Sequence, residues 1–210
     1  MNREKIMVDK NKIVIRKAIE SDNIKQIAKL IYSSDRNIYG AMFGDENCAF
    51  QILQELIWTH TINISIKNLI VAQYEKDIVG MLCFIEDEYL DDREAYKQAF
   101  SKLGIDLPKY FDEVFDVYWQ KIIKEDFAHS YYISNVAVDK NYQNLGIGKM
   151  LLNSFKEAHT DKPISLDVVK DNAAAIHAYL KSGFEPIEKD SRSSELPAPL
   201  RMVFNKRDMV

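Results

Sequence analysis

The order of local patterns along the chain predicts an α/β protein of the α+β kind, with a mixed sheet flanked by helices. Three observations carry that prediction. Seven short segments alternate or are rich in β-branched residues, as strands are. Between several of them, apolar residues recur at helical spacing. From residue 131 onward strand and helix alternate, which places successive strands beside one another with helices on the faces.

Composition is consistent with this. The chain has 210 residues, 47% hydrophobic and 29% charged, ordinary values for a soluble globular protein. One domain over residues 1–210, with a helical insertion at about 86–129, is the expected organisation. The net charge of −4 argues against a general nucleic-acid surface. Cys48 and Cys83 have no partner spacing, so a reduced cytoplasmic setting is expected and a disulfide framework is not. No apolar run approaches the ~20 residues of a membrane span, and the opening "MNREKIMVDKNK" lacks the apolar centre of a signal peptide.

"IVIRKAI" (13–19) reads as the first strand, with Ser21 and Asp22 as N-cap candidates for the helix that follows. Ile24, Ile27, Ala28 and Ile31 give that helix one apolar face, to about Ser33. A second helix is expected over Cys48–Thr59. "NLIVAQY" and "IVGMLCFI" are then two strands joined by the tight turn "EKD". In the insertion, "DDREAYKQAFSKLG" reads as a helix ending at Gly104, a C′ glycine. After Pro108, Phe111, Val114, Phe115, Tyr118 and Ile122 make a helical stripe. Two accounts of that stripe stand: it packs the insertion onto the main core, or it forms a lid or wall over an acceptor site. "YYISNVAV" (131–138) returns to strand, and a helix runs on to about His159. "PISLDVV" (163–169) is another strand and Asn172–Ser182 another helix, closed by Gly183. "FEPIEKD" and "LRMVFNK" form a final antiparallel pair.

The stretch "YQNLGIGKMLL" (142–152) stands where a strand gives way to a helix. Gly146 and Gly148 lack Cβ, so the backbone there turns tightly and admits a ligand. A helix start also leaves four N–H groups without intrahelical partners, a donor set suited to phosphate. Lys149 adds a cation. A dinucleotide fingerprint needs a third glycine where this chain has Leu151, and a P-loop needs its glycines farther apart. By itself the motif is also compatible with a turn that merely packs.

The following "NAAAIHAYLKSGFE" changes its meaning. Together, Q-x-x-G-x-G and N-x-x-A-x-x-x-Y-x-x-x-G-F, in that order and separated by a strand, resemble the GNAT superfamily of acyl-CoA-dependent N-acyltransferases. The resemblance is sharp over 131–184 and looser through 13–85. It implies a mostly antiparallel mixed sheet splayed at its fourth and fifth strands, with acyl-CoA in the gap. Carried over residue by residue, it assigns backbone contacts with the pantetheine arm to Val136, Ala137 and Val138. The pyrophosphate falls to Gln143, Asn144, Leu145, Gly146, Ile147, Gly148 and Lys149. Asn172 is assigned a hydrogen bond to the pantetheine arm or to the loop that holds it, Ala175 falls beside the cofactor, and Tyr179 both contacts the cofactor and serves as the catalytic phenol that donates to the departing sulfur. Acetyl-CoA is then the co-substrate and the acceptor a primary amine of a small molecule or peptide. A homodimer through the last strands also follows by resemblance. A non-catalytic acyl-CoA-binding or sensing module on the same fold is the alternative.

A base is harder to read. The strand "YYISN" carries no carboxylate, which departs from family members that have one there. Glu86, Asp87, Glu88 and His129 are candidates, and none is chosen. Ser134 and Asn135 straddle their strand, so one of them faces the reacting centre. His177 lies off the face of Tyr179 and is expected at the surface, while His60 and His159 read as helix-end residues. No His/Cys/Asp grouping has metal-ligand spacing, so no metal is predicted. No G-x-S-x-G is present, which leaves a covalent serine mechanism unsupported.

Overall fold

The computed structural model describes residues 8–59, 62–86, 92–116, 130–187 and 199–205. Its sheet has seven strands in the order β1-β2-β3-β4-β5-β7-β6. β1 (Ile13–Lys17), β2 (Leu69–Tyr74), β3 (Asp77–Ile85) and β4 (Tyr131–Val138) pair antiparallel in succession. β5 (Ile164–Val168) pairs parallel with β4, as a return through a helix requires. β7 (Leu200–Phe204) lies between β5 and β6 (Glu185–Ile187), antiparallel to both. The mixed, mostly antiparallel sheet is the one the sequence predicts.

Three helices, not two, connect β1 to β2: α1 (Ile24–Ser34), α2 (Arg36–Phe43) and α3 (Glu46–Leu56). α2 is the helix that sequence spacing missed. It has only eight residues with a glycine inside, yet Asp35 caps it by accepting from Ile38 N, and Tyr39, Met42 and Phe43 are buried. The expected cap of α1 also shifts. Asn23 takes that role, because Asp22 is bound by Arg16, with Nη1 2.8 Å from Oδ2.

α4 (Arg93–Leu103) ends at a left-handed Gly104 (φ 64°), the C′ glycine that the sequence marks. α5 (Phe111–Phe115) follows it. Phe111 and Phe115 are buried against Tyr96, with ring centroids 6.2 and 5.5 Å away, and Tyr96 in turn meets Phe43 of α2. The described half of the insertion therefore extends the core of α1–α3, as the packing account expects. Tyr118 and Ile122 lie outside the described residues.

α6 (Ile147–Ala158) and α7 (Ala173–Lys181) cover the other face of the sheet. Alternation divides the strand side chains between the two faces. Val71, Met81, Cys83 and Ala137 meet α1–α5, whereas Leu82, Ile133, Leu166 and Val168 meet α6. α6 sits close on the sheet because Gly80 of β3 has no side chain. A Cβ there would lie 3.2 Å from both Ala137 O and Ile147 Cγ2.

β4 and β5 pair only from Tyr131↔Ile164 to Ile133↔Leu166. Beyond that point β4 stays with β3 to Val138↔Gly80, and β5 stays with β7 to Val168↔Leu200. Cys83 pairs with Asn135 and Phe84 with Ile133, so Ser134 is an extra residue, a bulge at the point of divergence. A bulge bends its strand and increases its twist, which carries β4 away from β5.

Candidate active site

The glycine turn follows directly from the splayed end of β4. Gly146 is the N-cap of α6 in the left-handed region (φ 85°), with no side-chain cap on the helix. A Cβ at Gly146 would meet nothing within 4 Å, so the conformation and not packing demands glycine here. Asn144 is also left-handed (φ 64°), a region that Asn tolerates better than most residues. The backbone N–H groups from Gly146 to Lys149 donate to no described residue, and the first helical bond is Met150 N to Gly146 O. Ile147 is buried and Leu145 packs beside it in the α6-side core. Their side chains anchor the turn and leave its amides facing outward with the exposed Lys149. Such an array is a ready anion site, since the dipole and free donors of the helix terminus act together.

The Gln143 amide donates to Val138 O at 3.1 Å, so this side chain braces the turn against β4. Asn172 likewise turns its oxygen inward, accepting from Ala175 N at 3.1 Å as the N-cap of α7. Val136, Ala137 and Val138 have a strand neighbour on the β3 side and none on the β5 side. The gap therefore offers unpaired backbone to an extended chain. On α7, Ala175 and Tyr179 pack against the α6-side core. The Tyr179 ring meets Phe184 edge-on at 5.9 Å, and its hydroxyl bonds to no described residue. Burial pushes its phenol up to about 12.

The comparisons with known proteins agree with this geometry. The acetyltransferase (GNAT) family model matches residues 36–184. The chain belongs to the GNAT acetyltransferase family. No curated protein sequence matches it significantly. A solved structure of an N-acetyltransferase from Staphylococcus aureus Mu50 is 21% identical, with a TM-score of 0.70 over 90% of this chain and 99% of that one. A second acetyltransferase is 20% identical, with a TM-score of 0.68 over 91% and 98%. A third, from Corynebacterium glutamicum and described as histone acetyltransferase HPA2 and related acetyltransferase, is 18% identical, with a TM-score of 0.59 over 92% and 96%. At these identities the likeness concerns the fold.

The α1-side face of this GNAT sheet carries polar groups that sequence reasoning passed over. Asp167 on β5 is the first residue beyond the last β4–β5 pair. Its carboxylate accepts two bonds from Arg201 on β7, from Nε to Oδ1 and from Nη2 to Oδ2, each 2.7 Å. Both side chains are almost fully buried, at 4% and 9% exposure. Tyr132 of β4 donates to the same carboxylate at 3.4 Å, and the Arg201 guanidinium lies 5.7 Å from its ring centroid. Burial, followed by the charge of Asp167, raises the Tyr132 phenol well above its usual range. Opposite charges at core-facing positions of "SLDV" and "LRMVF" were the available signal, two strands that sequence alone does not place side by side.

The base candidates separate by place. Glu86 is exposed at the end of β3, while Tyr131, which packs on the α6 face, donates its one hydroxyl proton to Asp161 at 3.1 Å. Asp87, Glu88 and His129 lie outside the described residues, as does His60. His177 is exposed, and His159 is the C-cap of α6, stacked on Phe155 at 4.1 Å. Among the described residues no group of His, Cys, Asp or Glu could hold a metal ion, and no helix is long and apolar enough to cross a membrane. Cys83 is fully buried and its thiol is pushed up by desolvation, as befits a small core hydrophobe.

Proposed function

We propose that this chain transfers an acetyl group from acetyl-CoA to a primary amine of a small molecule or peptide, by direct attack in a ternary complex. One observation carries the reading: the unpaired edge of Val136–Val138 ends beside the amide-lined turn at Gly146–Lys149, where a Cβ on Gly148 would lie 3.9 Å from Val138 Cγ2, and the family is one of acetyltransferases. The turn takes the pyrophosphate, and the unpaired edge of β4 takes the amides of the pantetheine arm as a substitute strand. The exposed Asn172 keeps its amide nitrogen for the same arm.

The thioester then lies where β4 and β5 part. The amine nitrogen bonds to the acyl carbon, the carbon–sulfur bond breaks, and the thiolate leaves. Tyr179 donates a hydrogen bond to that sulfur. Its phenol near 12 makes full proton transfer to a thiolate of ordinary basicity, ~8.5, uphill by about 5 kcal/mol. Tyr179 therefore stabilises the departing charge as a donor and keeps its proton. An alkylamine with a pKa like that of Lys, ~10.4, must lose a proton before attack. Asp167, held by Arg201, is not its base.

The test is thiol release from acetyl-CoA against a panel of amines, polyamines, aminoglycosides and peptides. Amine-dependent release with a stoichiometric acetylated product supports the reading. Tight acetyl-CoA binding without release under any acceptor would instead establish a binding or sensing module.

A further inference from the structure

Asn135 lies one residue beyond the bulge at Ser134, where β4 has just left β5. Its side chain points to the α1 face, with Nδ2 2.7 Å from Ser34 Oγ. The Ser34 hydroxyl has a single proton, and that proton goes to Ile31 O at 2.6 Å. Ser34 Oγ is therefore an acceptor toward Asn135, which fixes which end of the amide is which. The nitrogen is tied to α1, and Oδ1 must point the other way. Oδ1 is buried and bonds to no described residue, while Ser34 and Asn135 join elements 101 residues apart to hold it so. Buried amide oxygens are ordinarily satisfied, and an orphan of this kind calls for a donor.

The donor's nature follows from which side of the sheet it must come from. The glycine turn and α6 belong to one face, and on the acetyltransferase reading acetyl-CoA lies on that side of the gap. Asn135 stands at the parting of β4 and β5 with its side chain on the opposite face, against Ser34 of α1. A group arriving on that side with an N–H to give is the nucleophile itself. We propose that Asn135 is an acceptor-binding residue: its Oδ1 receives a hydrogen bond from the attacking amine, and Ser34 locks the amide in the receiving orientation. A neutral oxygen held in this way aligns an N–H donor without holding a proton of its own, which favours amines over acceptors that offer no N–H. This inference rests on the acetyltransferase reading above.

The experiment measures steady-state kinetics with the best amine of the panel, together with acetyl-CoA affinity by calorimetry, for the wild type, Asn135→Ala and Ser34→Ala. Asn135→Ala is expected to raise the amine KM about 10-fold, the worth of one such hydrogen bond. Acetyl-CoA affinity stays unchanged. The melting temperature does not fall, because the variant removes an unsatisfied buried oxygen along with the Ser34 contact. Ser34→Ala frees the amide to turn over and raises the same KM by less. An unchanged amine KM in Asn135→Ala overturns the proposal. So does weakened acetyl-CoA binding with the amine KM intact, which would assign Oδ1 to the pantetheine arm. Should Asn135→Ala fail to fold, an unchanged amine KM in Ser34→Ala overturns it equally. Failure of the wild type to turn over any amine would sink the acetyltransferase reading instead, so the two failures are distinguishable.

Discussion

Tyr179→Phe isolates one hydroxyl. The ring of Tyr179 packs edge-on against Phe184 at 5.9 Å, and phenylalanine preserves that contact. The hydroxyl bonds to no described residue, so its removal breaks no internal hydrogen bond there. What is lost is a donor to the departing sulfur. A hydrogen bond to a charged group contributes about 1.5–3 kcal/mol, which corresponds to a fall in kcat of about 10- to 150-fold. Acetyl-CoA affinity changes little, because the ground-state thioester sulfur is a weak acceptor. The assay is stopped-flow thiol release with acceptor saturating, run beside calorimetric titration of acetyl-CoA. The pH profile adds a second constraint. With its phenol near 12, Tyr179 keeps its proton throughout the neutral and mildly alkaline range, so it contributes no falling limb to activity below pH ~11. An unchanged kcat would refute the reasoning. An alkaline limb near pH 9 that vanishes in Tyr179→Phe would refute the raised phenol.

Three further outcomes follow from the same structure. Gly146→Ala places a Cβ on a residue at φ 85° with nothing within 4 Å. The folded protein loses about 1 kcal/mol to left-handed strain alone, seen as a lower melting temperature, and acetyl-CoA binding weakens by a larger factor in calorimetry because the Cβ stands where phosphate must approach. Asp167→Asn takes from Arg201 the carboxylate that holds two of its nitrogens in a nearly buried setting. Unfolding in urea should show a loss of about 3 kcal/mol, and a loss under ~1 kcal/mol would show that the pair is not a structural tie. Stability should also fall in strong alkali. Burial raises the folded phenols of Tyr179 and Tyr132 above the unfolded value of ~10, so the fold holds those protons more tightly than the unfolded chain does. Their contribution is complete below pH 10 and is lost as pH rises toward and past 12, which urea melts from pH 9 upward, followed by phenolate absorbance, will register.

The glycine turn was legible because it is local. Gln143–Lys149 lies a few residues past the end of β4 and runs into α6, so Q-x-x-G-x-G spells out a left-handed turn and an uncapped helix start in one string. The strands were legible for a similar reason, since β-branched alternation reports burial on one face. α2 was not. Asp35 caps it one residue after α1 ends, so the two helices read as one signal followed by a loop. The internal partners of Gln143 and Asn172 were not legible, because a motif gives positions, whereas the partner of a short amide side chain is decided by turn geometry within the nearest few residues.

The buried cluster of Tyr132, Asp167 and Arg201 was illegible because it is assembled across strand order. Tyr132, Asp167 and Arg201 come from β4, β5 and β7, and β7 reaches Asp167 only because it inserts between β5 and β6. Nothing in "SLDV" announces that its charge will be met by "LRMVF". A buried ion pair is a poor way to hold two strands together, since apolar residues of the same volume commonly do it as well or better. What destabilises is breaking it, because removing one partner leaves the other charge buried and unpaired. On this argument a double replacement, Asp167→Leu with Arg201→Met, restores the stability that Asp167→Asn loses. Recovery of stability in the double variant, read by urea unfolding, would reduce the pair to packing, and a loss that persists would show that the ion pair itself is needed.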